Sequence, residues 1–266
     1  MPQSPAQIYH RKLQSRGNGR PLYLPEPDLT APPAHQIAGI SIGDVGICQD
    51  GSFHFLFNAC APATSPLNIG GVPDGFTHFT FGDRDISTYQ YYSANSLVRG
   101  GGVQECAMHL GASISAGLSG AGASAAVTIE LSSAEGAVLF LPEGAWREEI
   151  MCSKAFSAYV DGHARQWLSF ARRFVIEGSS LFVVTGCDKT PTWCLAATAK
   201  SAGIAGVSTQ FTLGLAEAGL AVTVKSTPED IVMLRKFRRS TIDQGGESMC
   251  LYSWHHRSPK AMQSCS

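Results

Sequence analysis

Residues 110–133 read LGASISAGLSGAGASAAVTIELSS, a run built almost wholly from Gly, Ala, Ser and a few aliphatics. Its order constrains the fold more than any other feature of the chain. By parity, Met108, Leu110, Ala112, Ile114, Ala116 and Leu118 share one face of an extended strand. His109, Gly111, Ser113, Ser115, Gly117 and Ser119 share the other. After Gly120-Ala121-Gly122 the pattern resumes, with Ala125, Val127, Ile129 and Leu131 apolar, and Ser124, Thr128, Glu130 and Ser132 polar. A period of two held this long predicts a hairpin over 107–132 with a flexible turn in its middle. Each arm matches the roughly 9–11 residues that cross a bilayer as a tilted strand. A small, nearly uncharged polar face suits a strand that is stable in water and later meets lipid on one side and a wet lumen on the other. Leu110, Ile114, Leu118, Val127, Ile129 and Leu131 are the residues such an insertion would use. A half-buried hairpin in a soluble sandwich carries the same alternation, and the run has no Trp or Tyr for an aromatic girdle.

Around this hairpin the sequence predicts an α+β fold, a mostly antiparallel twisted sheet with one long helix. In IAGISIGDVGICQDGSFHFLFNAC (37–60), two β-type runs flank Gln49-Asp50-Gly51, and Asp-Gly between apolar runs signals a hairpin. Residues 61–104 are loop-rich, with PATSPLN, GVPDGF and VRGGG. A three-four rhythm of apolar residues predicts a helix over about 145–174, with Glu148 and Glu149 in its first turns and Arg172 and Arg173 at its end. Asp161-Gly162 is a place where it could break. SLFVVTGC and WCLAATA flank DKTPT as a second hairpin, which sets Cys187 and Cys194 at mirror positions; small buried apolar residues are the simpler reading of both. Further strands follow at 206–213, 219–225 and 230–237. The organisation expected is a mobile tail (1–36) with an extended segment pinned by Leu22, Tyr23 and Leu24, one domain (37–239), and a poorly ordered tail (240–266).

Only 15% of the 266 residues are charged and the formal net charge is −1, so no electrostatic footprint for nucleic acid exists. Eight cysteines occur without a C-x-x-C spacing or a Cys/His quartet at zinc spacing. The first twenty residues lack a signal-peptide apolar run, and none of the four Asn begins an N-x-[ST] sequon. The expectation is therefore a cytoplasmic protein with reduced thiols, open to recruitment to a membrane.

Local catalytic motifs are missing. There is no phosphate-loop G-x-x-x-x-G-K-[ST] and no H-E-x-x-H. Ser119 in GLSGA and Ser124 in GASAA miss the last glycine of a nucleophile elbow. Asp44 and Asp50 read as turn residues and His255-His256 as a local pair. No catalytic residue, metal or cofactor is assigned. One cationic cluster stands out: Arg235, Lys236, Arg238 and Arg239 beside Phe237, which could meet an anionic leaflet at roughly 1 kcal/mol per cation. An edge strand that blocks pairing with charge gives the same pattern.

Three segments carry a resemblance. SIGDVGICQDGSFHFLFNAC (41–60), GVPDGF (71–76) and SLFVVTGCDKTPTWCLAA (180–197) resemble a family of uncharacterised proteins of mushroom-forming fungi, in which these motifs recur in this order. GAVLFLP (136–142) and the helix after it match as well, so the resemblance spans about 20–240; it implies no activity. More remotely, an alternating Gly/Ser-rich hairpin, a helix and then a "VVT" strand resemble the pore-forming domain of gasdermins. That resemblance implies basic residues on acidic lipid and inserting hairpins, roles that Arg235, Lys236, Arg238, Arg239 and 107–132 would take here. The chain is expected to lack the linker and autoinhibitory domain of gasdermins.

The function expected is non-enzymatic: a gasdermin-like, membrane-active protein of defence or cell death, with an anionic membrane as partner and a homo-oligomer as its active form. The alternatives are a soluble module binding a protein or glycan through the 61–104 region and Tyr89, Tyr91 and Tyr92, or an enzyme whose site is assembled from distant loops.

Overall fold

The computed structural model describes residues 4–14, 19–26, 28–100, 106–107, 126–131, 135–174, 180–200, 209–216, 219–225, 230–238 and 249–256. Among the described residues there are three α-helices: α1 (Pro5–Gln14), α2 (Pro33–Ala38) and α3 (Ser153–Ala171). The strands are β1 (Arg20–Pro21), β2 (Asp44–Gln49), β3 (Ser52–Asn58), β4 (Ile86–Tyr92), β5 (Ser96–Arg99), β6 (Cys106–Ala107), β7 (Ala126–Leu131), β8 (Glu135–Leu141), β9 (Ala145–Ile150), β10 (Leu181–Thr190), β11 (Thr192–Lys200), β12 (Thr209–Ala216), β13 (Gly219–Lys225), β14 (Asp230–Arg238) and β15 (Met249–His256). Every pairing between these strands is antiparallel. The fold is α+β, as the sequence predicts.

The single domain expected over 37–239 resolves into two compact units that alternate along the chain. The first comprises Met1–Arg16, Ala94–Glu143 and Thr192–Ser240, and the second Gly17–Ser93, Gly144–Pro191 and Thr241–Ser266.

The second unit is a sheet in the order β1-β15-β10-β2-β3, with β9 also on β10 and β4 on β9. Asp50 and Gly51, at φ 50° and 84°, turn β2 into β3 and pair Gln49 with Ser52. This is the two-residue turn that Asp-Gly favours, because both positions need positive φ. Phe53, Phe55 and Phe57 do not share one face. The register steps from Val45↔Phe57 to Gly46↔Phe55, so Leu56 is an extra residue and Phe57 moves to the opposite side. Phe57 packs with Val45, Val183 and the α3 residues Phe156, Val160, Trp167 and Phe170. Phe53 packs instead with Leu22, Ile40, Val184 and Cys187. Consecutive Val183 and Val184 face these two cores, so the middle of the sheet is buried on both sides.

The helix is shorter than its periodicity predicts. Ala145–Ile150 is strand β9, held between β10 and β4, and α3 begins only at Ser153. Pairing on both edges overrides the helical pattern, and Glu148 and Glu149 are strand residues. Asp161-Gly162 does not break α3, which runs without interruption from Ser153 to Ala171. DKTPT is not a hairpin turn either. β10 pairs with β15, β2 and β9 while β11 pairs with β14 and β8, which leaves Pro191 alone between them. Cys187 and Cys194 are nevertheless both buried.

Both segments expected to be tails contain regular structure. Ser4 and Gln7 form a reciprocal cap, Ser4 N–H donating to Gln7 Oε1 (2.9 Å) and Gln7 N–H to Ser4 Oγ (3.3 Å), and Pro5 opens α1. Ile8, Tyr9 and Leu13 of α1 are fully buried. Leu22 and Tyr23 are buried and Leu24 bridges to Ser52, as expected of a pinned segment. In 240–266, Met249–His256 forms β15 between β1 and β10.

Candidate functional site

The first unit contains two four-stranded sheets, ordered β14-β11-β8-β5 and β13-β12-β7-β6. The two orders correspond strand for strand. β5 precedes β6 in the chain, β7 precedes β8, β11 precedes β12 and β13 precedes β14, and each neighbour in one sheet is continued by the same neighbour in the other. This is the chain connectivity of two hairpins side by side; the residues that join one sheet to the other lie outside the described residues. One runs through β5 and β6 and returns through β7 and β8, with Ser96↔Leu141 at its base and Cys106↔Ile129 farther out. The other runs through β11 and β12 and returns through β13 and β14, from Thr192↔Arg238 to Ala216↔Gly219. β8 and β7 join them, on β11 and β12.

The register of the outer sheet sorts residue types by face. Phe211 is opposite both Ile129 and Val224, Leu213 opposite Val127 and Val222, and Leu215 opposite Leu220. Directly paired residues share a face, so these positions form one apolar face across three strands. Thr212 is opposite Thr128 and Thr223, and Gly214 opposite Ala126 and Ala221, so the other face is small or polar. Cys106, which has the parity of Leu110, Ile114 and Leu118, pairs with Ile129 on the apolar side.

Of the insertion candidates, Val127, Ile129 and Leu131 therefore lie on β7 within this sheet. Leu110, Ile114 and Leu118 lie outside the described residues. The second hairpin was legible only as strands. The alternation in TQFTLGLAEAGLAVTVK is as strict as in 107–132, and Phe211, Leu213, Leu215, Leu220, Val222 and Val224 belong beside the named candidates.

The basic cluster falls on β14, at the edge of the inner sheet. Strand alternation divides it. Arg235 and Phe237 are opposite Leu195 and Trp193, while Lys236 and Arg238 are opposite Cys194 and Thr192. The cations thus occupy both faces of an edge strand, and Arg239 lies outside the described residues. At the inner sheet, α1 contributes Arg11 and Lys12, both paired with Glu135 of β8.

In the second unit, the conspicuous polar residues hold the fold. Asp44 is fully buried and accepts from Ser41 N–H (2.7 Å) and Asn58 Nδ2 (2.7 Å), with His35 Nε2 at 2.9 Å. Asn58 also donates to Ile42 O, and Asn68 Oδ1 accepts from Asn58 N–H (2.8 Å). Asp188 is fully buried and accepts from Arg147 Nε (2.6 Å) and Nη2 (2.8 Å). Burial pushes the Asp188 carboxyl above its ordinary range, against the pull of Arg147. Burial acts to lower the Arg147 pKa, yet the Asp188 carboxylate outweighs it and holds the guanidinium above its usual value. Arg147 lies over the Tyr91 ring at 3.4 Å from its centroid. Asp44, Asn58 and Asp188 belong to the motifs of the fungal resemblance, and each is committed to a buried contact. Asp50 is the turn residue it was read as.

Burial makes three of the described cysteines poor nucleophiles. Burial pushes the Cys48 thiol up to about 12 and raises Cys60 and Cys152 as well. Among the described residues, no three His, Cys, Asp or Glu side chains gather as a metal site. Tyr89, Tyr91 and Trp146, on β4 and β9, are large and exposed. No family model matches the chain, and neither a curated protein nor a solved structure matches it.

Proposed function

We infer that the protein acts on membranes, with the two hairpins of its first unit as the inserting element. The observation that supports this is the register of β7, β12 and β13, which gathers the aliphatic and aromatic positions on one face and the small and polar ones on the other. A strand that spans a bilayer needs that division, apolar toward lipid and polar toward a lumen. Length is adequate: no Asp, Glu, Lys or Arg lies between Glu105 and Glu130, or between Lys200 and Glu217, and about 9–11 residues suffice for a crossing. No described helix is long and apolar enough to cross a membrane.

The role follows the gasdermin resemblance: a non-enzymatic, pore-forming protein of defence or cell death, drawn to anionic lipid. Arg235, Lys236 and Arg238 of β14, and Arg239 after them in sequence, would meet headgroups, each contributing roughly 1 kcal/mol. The second reading, a soluble module for a protein or glycan, rests on the exposed Tyr89, Tyr91 and Trp146.

Dye release from liposomes with and without anionic lipid tests the first reading, using the intact chain and a variant with all four cations changed to Ser. Leakage that requires anionic lipid and falls at least tenfold in the variant is the expected result. An intact chain that neither binds nor permeabilises either liposome overturns it.

A further inference from the structure

We propose that the protein self-associates through the free edge of β4, two copies pairing their β4 strands antiparallel about Thr88. The inference is independent of the membrane reading and concerns the second unit alone. Among the described residues β4 pairs with β9 and with no other strand, so its far edge is open. An open edge presents a row of backbone donors and acceptors and is a template for another strand unless it is blunted. Two of the other long edges are blunted, while β13, GLAVTVK, belongs to the first unit and carries one charge, Lys225. β14 carries Asp230, Arg235, Lys236 and Arg238. β3 has Phe53, Phe57 and Asn58 buried, and Leu24 lies against its first residue. β4 reads ISTYQYY, with no charge, no proline and strand-favouring residues at five of its seven positions.

The occupant is a second copy because β4 is complementary to itself. Its regular part is Ile86–Gln90; the register step between Gln90 and Tyr92 makes Tyr91 a bulge, which ends the usable edge. Antiparallel pairing of this part places Thr88 opposite Thr88, Ser87 opposite Tyr89 and Ile86 opposite Gln90. Thr–Thr is a favourable cross-strand pair and no like charges meet. Ile86 is 39% and Trp146 52% exposed, and Trp146 sits opposite Gln90 in the β4–β9 register. The incoming Ile86 therefore arrives on the face that Trp146 occupies, which covers part of both. A contact this small is expected to be weak, with Kd in the micromolar range.

Light scattering on the intact chain at about 100 µM and at about 1 µM, without lipid, tests the proposal. The expected result is a doubling of mass at the higher concentration only. Thr88→Lys places two cations directly opposite each other and should leave a monomer; Thr88→Glu should do the same. Mixing the two variants should restore the double mass, a recovery that a misfolded variant cannot give. A chain that is monomeric at the higher concentration overturns the proposal, and so does a dimer that survives Thr88→Lys.

Discussion

Glu130 and Lys225 are both paired with Gln210, from opposite sides, so an acid of the first hairpin and a base of the second stand on one row across the ribbon. Beyond that row, the described parts of β6, β7, β12 and β13 contain no Asp, Glu, Lys or Arg. Ionisable residues at mid-membrane are expensive and those at the boundary are tolerated. The row is where a neutral outer ribbon gives way to a charged base.

The Arg147–Asp188 pair governs the stability of the second unit. Arg147→Met leaves Asp188 buried without its partner and should cost about 3–5 kcal/mol in urea unfolding. The double variant Arg147→Met/Asp188→Leu should recover most of that loss, because no buried charge remains.

The same variant should reverse the ordinary acid sensitivity. In the native chain burial already raises Asp188 against the pull of Arg147, and Arg147→Met removes the pull. A folded-state pKa above the unfolded value makes the native state hold its proton more tightly. Stability from that group is complete below the unfolded pKa and is lost as pH rises through the folded one. Arg147→Met should therefore unfold at a higher temperature near pH 4 than near pH 8, measured by circular dichroism.

Two glycines should respond with opposite signs. A Cβ on Gly46 would lie 2.6 Å from the Phe53 ring and collide with His54 O, so Gly46→Ala should destabilise by about 1–3 kcal/mol. Gly162 meets nothing within 4 Å in an exposed stretch of α3, so Gly162→Ala should stabilise by about 0.5–1 kcal/mol. Thermal melts of the two variants check both.

Asn58 is the hub of the polar network. Asn58→Ala strips a donor from Asp44 Oδ1 and Ile42 O and an acceptor from Cys60 N–H. Groups left buried and unsatisfied cost about 1–3 kcal/mol each, so a loss of at least 2 kcal/mol is expected in chemical denaturation.

What the sequence revealed was local. The Asp50-Gly51 turn, the apolar rhythm that ends in Phe170, and the alternation in 126–131 each follow from a few neighbouring residues. What it concealed was decided by distant partners. AWREEI reads as the start of a helix until β4 and β10 flank it. MCLYSWHH has strand-forming residues, yet only β1 and β10 give it a place. The Ser4–Gln7 cap is a local signal for α1 that the reading of 1–36 as a mobile tail passed over. The ribbon itself follows from strand order, which no local pattern contains, and strand alternation then splits a basic cluster that looks continuous in the sequence.

The register of Leu213 and Thr212 offers the most direct test of the membrane reading. These neighbours lie on opposite faces of β12, Leu213 with Val127 and Val222, and Thr212 with Thr128 and Thr223. A Lys on the lipid face at mid-membrane costs about 2–4 kcal/mol, while one on the lumen face is tolerated. Dye release from anionic liposomes by Leu213→Lys and Thr212→Lys is the measurement. The account predicts that Leu213→Lys abolishes release and Thr212→Lys retains it; equal release by the two variants would contradict it.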